Sequence, residues 1–430
     1  MSLERNALLV ILLTGLLAIL GEWSPELARW WCLPAALLLL GLAYEATVLG
    51  RCAVQARLVA PERWPLGRSQ DAQCELRQDA WPCLRAQLIF AAPAEFAAAP
   101  QVQTLRLVRA APSRAVLQAA PRRLGEYRWP APVLRLGGPL GLAWWPRGTV
   151  ADCSVTVVPD LIERSERAAG NRAAGEERAY TPGPGAEILQ LRDYRRGDPL
   201  RAIDWKATAR RGRLISRDRS EDQHLELVVA VDAGRASGLG AGEIDRLGTY
   251  VNVAARLAQR AMQLDDSVGV LIFAARPLAA LRPARGERAV VRIRETLAAC
   301  RVQTGESNPV LAAARIRSMV ERRSLAIFLT DLEDASSGEE LAQAVQLLAP
   351  KHFAFIAGLA SARVQALAQA TVGEPLGAYR ALAAVEYGNA VAANVRALRA
   401  LGAAALTARP ERLDRAVFEA YCEFRERRRI

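Results

Sequence analysis

The chain opens with two apolar blocks divided by a short polar break. "ALLVILLTGLLAIL" (7–20) carries no charge, "GEWSPELAR" (21–29) interrupts, and "WWCLPAALLLLGLAYEATVLG" (30–50) resumes the apolar run. With flanking residues each block approaches the length needed to cross roughly 30 Å of hydrocarbon. Trp23, Trp30 and Trp31 stand where interfacial aromatics belong. The pattern predicts a transmembrane hairpin over residues 1–50. A cleaved signal peptide is the alternative, but no small-x-small site follows the first block and a second apolar block comes at once.

Past residue 50 the period changes. Short alternating runs such as "CAVQARLVA", "LRAQLIF", "VQTLRLVRA" and "CSVTVVPD" are separated by Pro and Gly clusters. Period-two patterning at this spacing predicts a small antiparallel β-sandwich over 51–160. A polar, Gly- and Pro-bearing stretch comes next and predicts a linker over 161–188. From residue 223 to 430, buried-type strands such as "LELVVAVDAG", "DSVGVLIFAA" and "SLAIFLTDLED" alternate with amphipathic helices. That alternation predicts a doubly wound, mostly parallel, Rossmann-like sheet. The fold class expected is thus multi-domain α/β.

Charge narrows the setting. The 430 residues carry a net charge of +12, which suits nucleic acid, anionic lipid or an acidic protein partner. Arg5 precedes the apolar hairpin and Arg51, Arg57 and Arg63 come after it, against Arg29 in the break. The positive-inside rule then places both termini and the later domains on the cytoplasmic side of an inner membrane. The seven cysteines are scattered, with no CxxC pair, and read as buried or incidental thiols in a reducing compartment.

Candidate chemistry is sparse. Two histidines, His224 and His352, argue against histidine catalysis or zinc. No GxGxxG follows the first α/β strand and no GxxxxGK[ST] occurs, which disfavours a nucleotide site. Asp232 and Asp331 each stand at the carboxyl end of an apolar strand, where ligands bind in open α/β sheets. Two carboxylates there suit Mg²⁺, or else each closes a turn or caps a helix.

"VVAVDAG" before a helix, with "FLTDLED" on a later strand, resembles the von Willebrand factor type A fold. That resemblance implies a metal-ion-dependent adhesion site, with Asp232 and Asp331 as its two acids. Gly234 and Ala236 occupy its hydroxyl positions, Ser237 falls one place late, and Thr304 or Ser307 would supply the loop hydroxyl. No cofactor is expected; Mg²⁺ is the ion the pattern admits, at a weakened site.

The densest charge lies in "LRDYRRGDPLRAIDWKATARRGRLISRD", at the heart of a segment spanning 189–222. It is similar to the signature of the bacterial domain of unknown function 58 family, through Leu191, Arg192, Tyr194, Gly197, Asp198, Arg201, Ile203, Asp204, Trp205, Lys206, Thr208, Ala209 and Arg210. "GPLGLAWW" resembles the family's D-P-x-G-L element, with Gly138 in place of the acid. The resemblance implies a membrane protein without its own ATP chemistry, partnered by a MoxR-type AAA+ ATPase that matures or remodels client proteins. Asp193, Asp198, Asp204 and Asp218 interleave with the arginines, which favours internal ion pairs over a nucleic-acid grip. The segment is expected to tie the β domain to the type A-like domain, or else to offer a docking surface. The reading is therefore a membrane-anchored adaptor, not an enzyme, with no nucleic acid. A metal-dependent hydrolase using Asp232, Asp331 and Asp204, or nucleic-acid binding with Tyr194 and Trp205 stacking on bases, are the alternatives.

Overall fold

The computed structural model describes residues 2–21, 32–79, 83–149, 153–161, 182–220, 224–240, 242–332, 335–370 and 375–427. The polar break with Trp23, Arg29, Trp30 and Trp31 lies outside them, as does most of the expected linker. The chain divides into two compact units, Met1–Val158 and Pro159–Ile430.

In the first unit the apolar blocks form the helices Arg5–Gly21 and Cys32–Gly50. At 1.5 Å per residue they reach about 26 and about 28 Å. Among the described residues Cys32–Gly50 alone is long and apolar enough to cross a membrane. The expected pair of spans is corrected to one candidate span beside a shorter apolar helix. Leu8, Leu12, Leu37, Leu39 and Leu40 are exposed on these helices, an arrangement costly in water and natural against lipid.

The end of the second helix is tied to the β domain by a buried acid. Glu45 Oε1 accepts the amides of Leu140 (3.0 Å) and Leu142 (3.2 Å). Its Oε2 accepts the Ala143 amide (3.2 Å) and the Trp145 indole (3.4 Å). These donors belong to the "GPLGLAWW" turn, where the sequence pattern lacks its acid. A Cβ on Gly138 would lie 1.9 Å from the Glu45 carboxyl carbon, so the helix supplies a carboxylate that fills the space beside Gly138. Gly138→Asp is expected to cost about 1–3 kcal/mol by overpacking, with charge repulsion added. Adding Glu45→Ala should recover most of the loss, read as thermal unfolding of the detergent-solubilised full chain.

The β domain alternates as its pattern requires: Leu84, Ala86, Leu88 and Phe90 of one strand are buried while their neighbours face outward. A five-stranded sheet runs Ser2–Leu3, Ala143–Arg147, Val133–Gly137, Cys83–Phe90, Gln101–Val108, all antiparallel. A four-stranded sheet runs Val54–Val59, Gln70–Gln78, Ser113–Pro121, Phe96–Ala97. The expected antiparallel sandwich is incomplete as a description, because a third sheet joins Arg63–Pro65, Ser154–Val158 and Gly125–Arg128, the first pair in parallel. Trp64, Phe96 and Trp129 pack at ring separations of 5.4 to 5.6 Å. These large rings supply much of the apolar burial in a domain whose strands are rich in alanine.

The second unit is built on a six-stranded sheet. Its order is Pro277–Ala284, Ser267–Phe273, Glu226–Asp232, Leu325–Leu329, Phe353–Leu359, Ala404–Ala408. All neighbours are parallel except the first pair, whose edge strand Pro277–Ala284 the apolar pattern did not predict because it is half-exposed. Val228, Ala230, Leu271, Phe273, Ala326, Phe328 and Ile356 share a core with the helices Pro309–Met319, Ala335–Leu348 and Pro375–Ala400. The alternate residues Leu227, Val229, Val231, Val270 and Ile327 are as deeply buried, which requires cover on the other face too. The helices Arg246–Gln263, Glu287–Ala298 and Pro410–Arg427 pack there. Continuous apolar strands result from this two-sided burial.

The chain leaves the Glu226–Asp232 strand in one direction and returns on its other side at Leu325–Leu329. Between these two strands the order reverses, and the crevice beyond their carboxyl ends is where such sheets bind ligands. The expected 161–188 linker needs one correction: a strand, Pro182–Asp193, starts inside it and pairs antiparallel with Ile215–Ser220. Backbone pairing of these extended runs forms an arm separate from the six-stranded sheet.

Candidate functional site

Two places hold the residues singled out by sequence. The first is the tip of the Pro182–Ser220 arm. Arg192 grips Asp198 with both ends of its fork, Nη1 to Oδ2 at 2.8 Å and Nη2 to Oδ1 at 2.9 Å. The Arg195 amide donates to the same carboxylate at 2.9 Å, and the Tyr194 hydroxyl donates to the Asp198 carbonyl at 3.3 Å. Gly197 turns the chain at φ +109°, a conformation that glycine adopts without strain.

Asp204 then starts the helix Trp205–Arg211 as its N-cap, accepting from the Ala207 amide at 3.0 Å and pairing with Arg217 at 3.2 Å. Gly212 closes the helix at φ +67°, and the Thr208 hydroxyl accepts the Ile215 amide at 3.0 Å. Arg213 pairs with Asp193 at 2.8 Å. The acids that interleave with the arginines thus brace the tip from within. The side chains of Arg201 and Asp218 lie outside the described residues.

What the bracing leaves outside is apolar and basic. Leu200 is 72% exposed and Trp205 64%. Leu191 and Leu214 are also exposed, and so are Arg195, Arg196, Lys206, Arg210 and Arg211. A tryptophan held out by a capped helix, with arginines around it, has the composition of a protein-binding anchor.

The Arg192 fork, and next the Arg195 amide, hold the Asp198 carboxyl down at about 2. An unfolded Asp titrates near about 3.9. Because the folded value is the lower one, this stabilisation is fully present above about pH 4 and is lost as pH falls toward about 2. Hydrogen exchange over residues 191–199, corrected for intrinsic rate, should therefore keep its protection from neutral pH down to about 4. Asp198→Asn should lose that protection at neutral pH.

The second place is the crevice at the strand-order reversal. Asp232 is 3% exposed, and its two oxygens face three donors. Oδ1 accepts the Gly234 amide at 2.8 Å and the Ser307 hydroxyl; Oδ2 accepts the Thr330 hydroxyl at 2.5 Å. Burial pushes its carboxyl up, opposed by these same bonds. Ser237 donates to the Asp232 backbone carbonyl at 2.8 Å and offers nothing to the carboxylate. Thr304 is exposed, and Ser307 rather than Thr304 reaches Asp232. The loop hydroxyl is thereby corrected to Ser307.

Asp331 carries a residue that sequence reasoning missed. Its Oδ2 accepts Arg246 Nη1, and both partners are buried, at 8% and 7% exposure. Arg246 opens the helix Arg246–Gln263 directly after its N-cap Asp245. One turn on, the Tyr250 hydroxyl donates to the Thr330 carbonyl at 3.0 Å. Burial, and then the Asp331 charge, push the Tyr250 hydroxyl far up. Thr330 was also missed, although its place before the acid in "FLTDLED" is a signal that could have found it. Arg246 carried no such signal, since it comes after an ordinary helix cap.

Burial pushes the Cys74 thiol to about 11 and that of Cys300 to about 12, far from thiolate reactivity. Among the described residues no group of three or more His, Cys, Asp or Glu side chains is placed to hold a metal ion.

Residues 190–369 match the family model described as "Protein of unknown function DUF58". No curated protein matches. Among solved structures, the conserved hypothetical protein BatB from Bacteroides thetaiotaomicron is 15% identical, with a TM-score of 0.26, over 31% of this chain. The chain spans 66% of that protein's length. The CARDB domain of PF1109 from Pyrococcus furiosus, solved with di-metal ions, is 12% identical with a TM-score of 0.18, over 25% of this chain and 89% of that one. Scores this low do not indicate a shared overall fold.

Proposed function

We propose that the protein is a membrane-anchored adaptor, whose Pro182–Ser220 arm docks an ATP-driven partner of the MoxR-type AAA+ class acting on a client protein. One observation carries this reading. Asp193, Asp198 and Asp204 spend their charge inside the segment, while Trp205 and Leu200 stay exposed among unspent arginines. A nucleic-acid grip would also use basic groups in excess; the apolar pair Trp205 and Leu200 presented among them is what favours a protein partner. The arginine fringe suits an acidic rim on the partner.

Anchoring is assigned to the one candidate span, Cys32–Gly50, with the shorter apolar helix Arg5–Gly21 beside it. Arg51, Arg57 and Arg63 favour a cytoplasmic placement for the chain beyond residue 50. In this reading the six-stranded unit serves as a type A-like binding module. The hydrolase alternative loses ground, because Asp204 caps a helix and Asp331 is already bound to Arg246.

The test is a pull-down of the detergent-solubilised chain from its native membrane, with and without non-hydrolysable ATP. Recovery of an AAA+ ATPase that varies with nucleotide supports the adaptor. Recovery of none under any nucleotide condition removes it.

A further inference from the structure

A type A-like crevice raises the matter of Mg²⁺, and the residues present do not fit it. In such a site hydroxyl oxygens point their lone pairs at a hard cation, alongside carboxylates that remain open. Here the Ser307 and Thr330 hydroxyls turn their protons onto Asp232 instead, one on each carboxylate oxygen. The Gly234 amide adds a third donor. Space is closed as well: a Cβ on Gly234 would come 2.1 Å from Ser307 Oγ. The hydroxyl that the sequence pattern lacks at 234 has its place filled by Ser307 from another loop. The second acid, Asp331, is bound by a buried guanidinium.

We infer that Arg246 is a tethered cation standing in for the divalent ion, so that this crevice is assembled without metal and any docking at it is metal-independent. The arrangement is compact. Thr330 bonds Asp232 through its hydroxyl and Tyr250 through its carbonyl, and Asp331 is its chain neighbour. Arg246 and Tyr250 lie four apart on one helix and so share a face. A fixed positive charge on that face neutralises Asp331, which Mg²⁺ would otherwise do. Guanidinium suits the role because it stays charged at any ordinary pH and offers a planar fork to a carboxylate. The inference extends the proposed binding-module role but is read by metal and stability, so its failure leaves the adaptor reading standing.

The test uses the full chain in detergent with Mn²⁺ as paramagnetic reporter and Mg²⁺ as competitor. Wild type is expected to bind no Mn²⁺ that Mg²⁺ displaces, and to keep one Tm with Mg²⁺ or with EDTA. Arg246→Ser should lower Tm, and millimolar Mg²⁺ should raise it again. Arg246→Lys keeps the charge and should stay folded, with a Tm above that of Arg246→Ser and no response to metal. Mn²⁺ bound by wild type and lost in Asp232→Asn overturns the inference without requiring any change at Arg246. So does an Arg246→Lys protein as unstable as Arg246→Ser, since charge would then not be what the position supplies.

Discussion

Asp266→Ala is expected to destabilise the C-terminal unit by about 3–5 kcal/mol, the cost typical of removing one partner from a buried ion pair. Asp266 has no exposed surface. It accepts the Leu225 amide at 2.8 Å just before the central strand, and it accepts the Tyr421 hydroxyl. Arg425 lies 3.2 Å away on the same terminal helix. Alanine would leave the buried Tyr421 hydroxyl and the Leu225 amide without their acceptor and take the carboxylate from the half-buried Arg425, which keeps its bond to the Leu264 carbonyl. For a unit of this size the loss should appear as a fall in Tm on the order of 10 °C, measured by circular dichroism. Asp266→Asn keeps an acceptor for the Leu225 amide and should lose less. Equal losses from both variants would show that the charge facing Arg425, and not the retained amide hydrogen bond, carries the interaction.

The second large effect is on binding. Trp205→Ala should weaken capture of the proposed ATPase partner by roughly 30-fold or more, corresponding to about 2 kcal/mol at a binding anchor. Stability should move by less than about 0.5 kcal/mol, as for other surface substitutions. The contrast comes from the geometry, since Trp205 heads a capped helix yet is 64% exposed and packs into no core. Asp204→Ala should behave oppositely, loosening the helix that presents the tryptophan through loss of its cap. Titration of the captured partner against both variants separates the two: unchanged affinity in Trp205→Ala would move the docking surface elsewhere.

Much of the architecture was legible from patterning, because burial on two faces demands continuous apolar strands and burial on one demands alternation. "LELVVAVDAG" and "SLAIFLTDLED" therefore announced central strands ending at Asp232 and near Asp331. The half-exposed edge strand Pro277–Ala284 and the strand starting at Pro182 carried no such pattern, and neither was foreseen. Interleaved signs in the basic segment pointed to internal ion pairs, though not to which arginine meets which aspartate. Arg213 and Asp193 lie twenty residues apart, and the pairing of the arm's two strands, Pro182–Asp193 with Ile215–Ser220, is what joins them.

The chain by itself determined the order of parts: an apolar start, an alternating β region, a signature segment and an α/β unit. It also identified positions where a pattern the chain resembles lacks its side chain, Gly138 and Gly234 among them. Only the tertiary structure decided what fills these two. Glu45 comes from a helix more than ninety residues earlier, and Ser307 from a loop more than seventy residues later. Arg246 reaches Asp331 across eighty-five positions. The physical reason is that local pattern reflects which face of an element is buried, whereas a carboxylate, a hydroxyl or a guanidinium acts through space. A fold can supply the charge or hydrogen bond a motif lacks from any element that packs close enough.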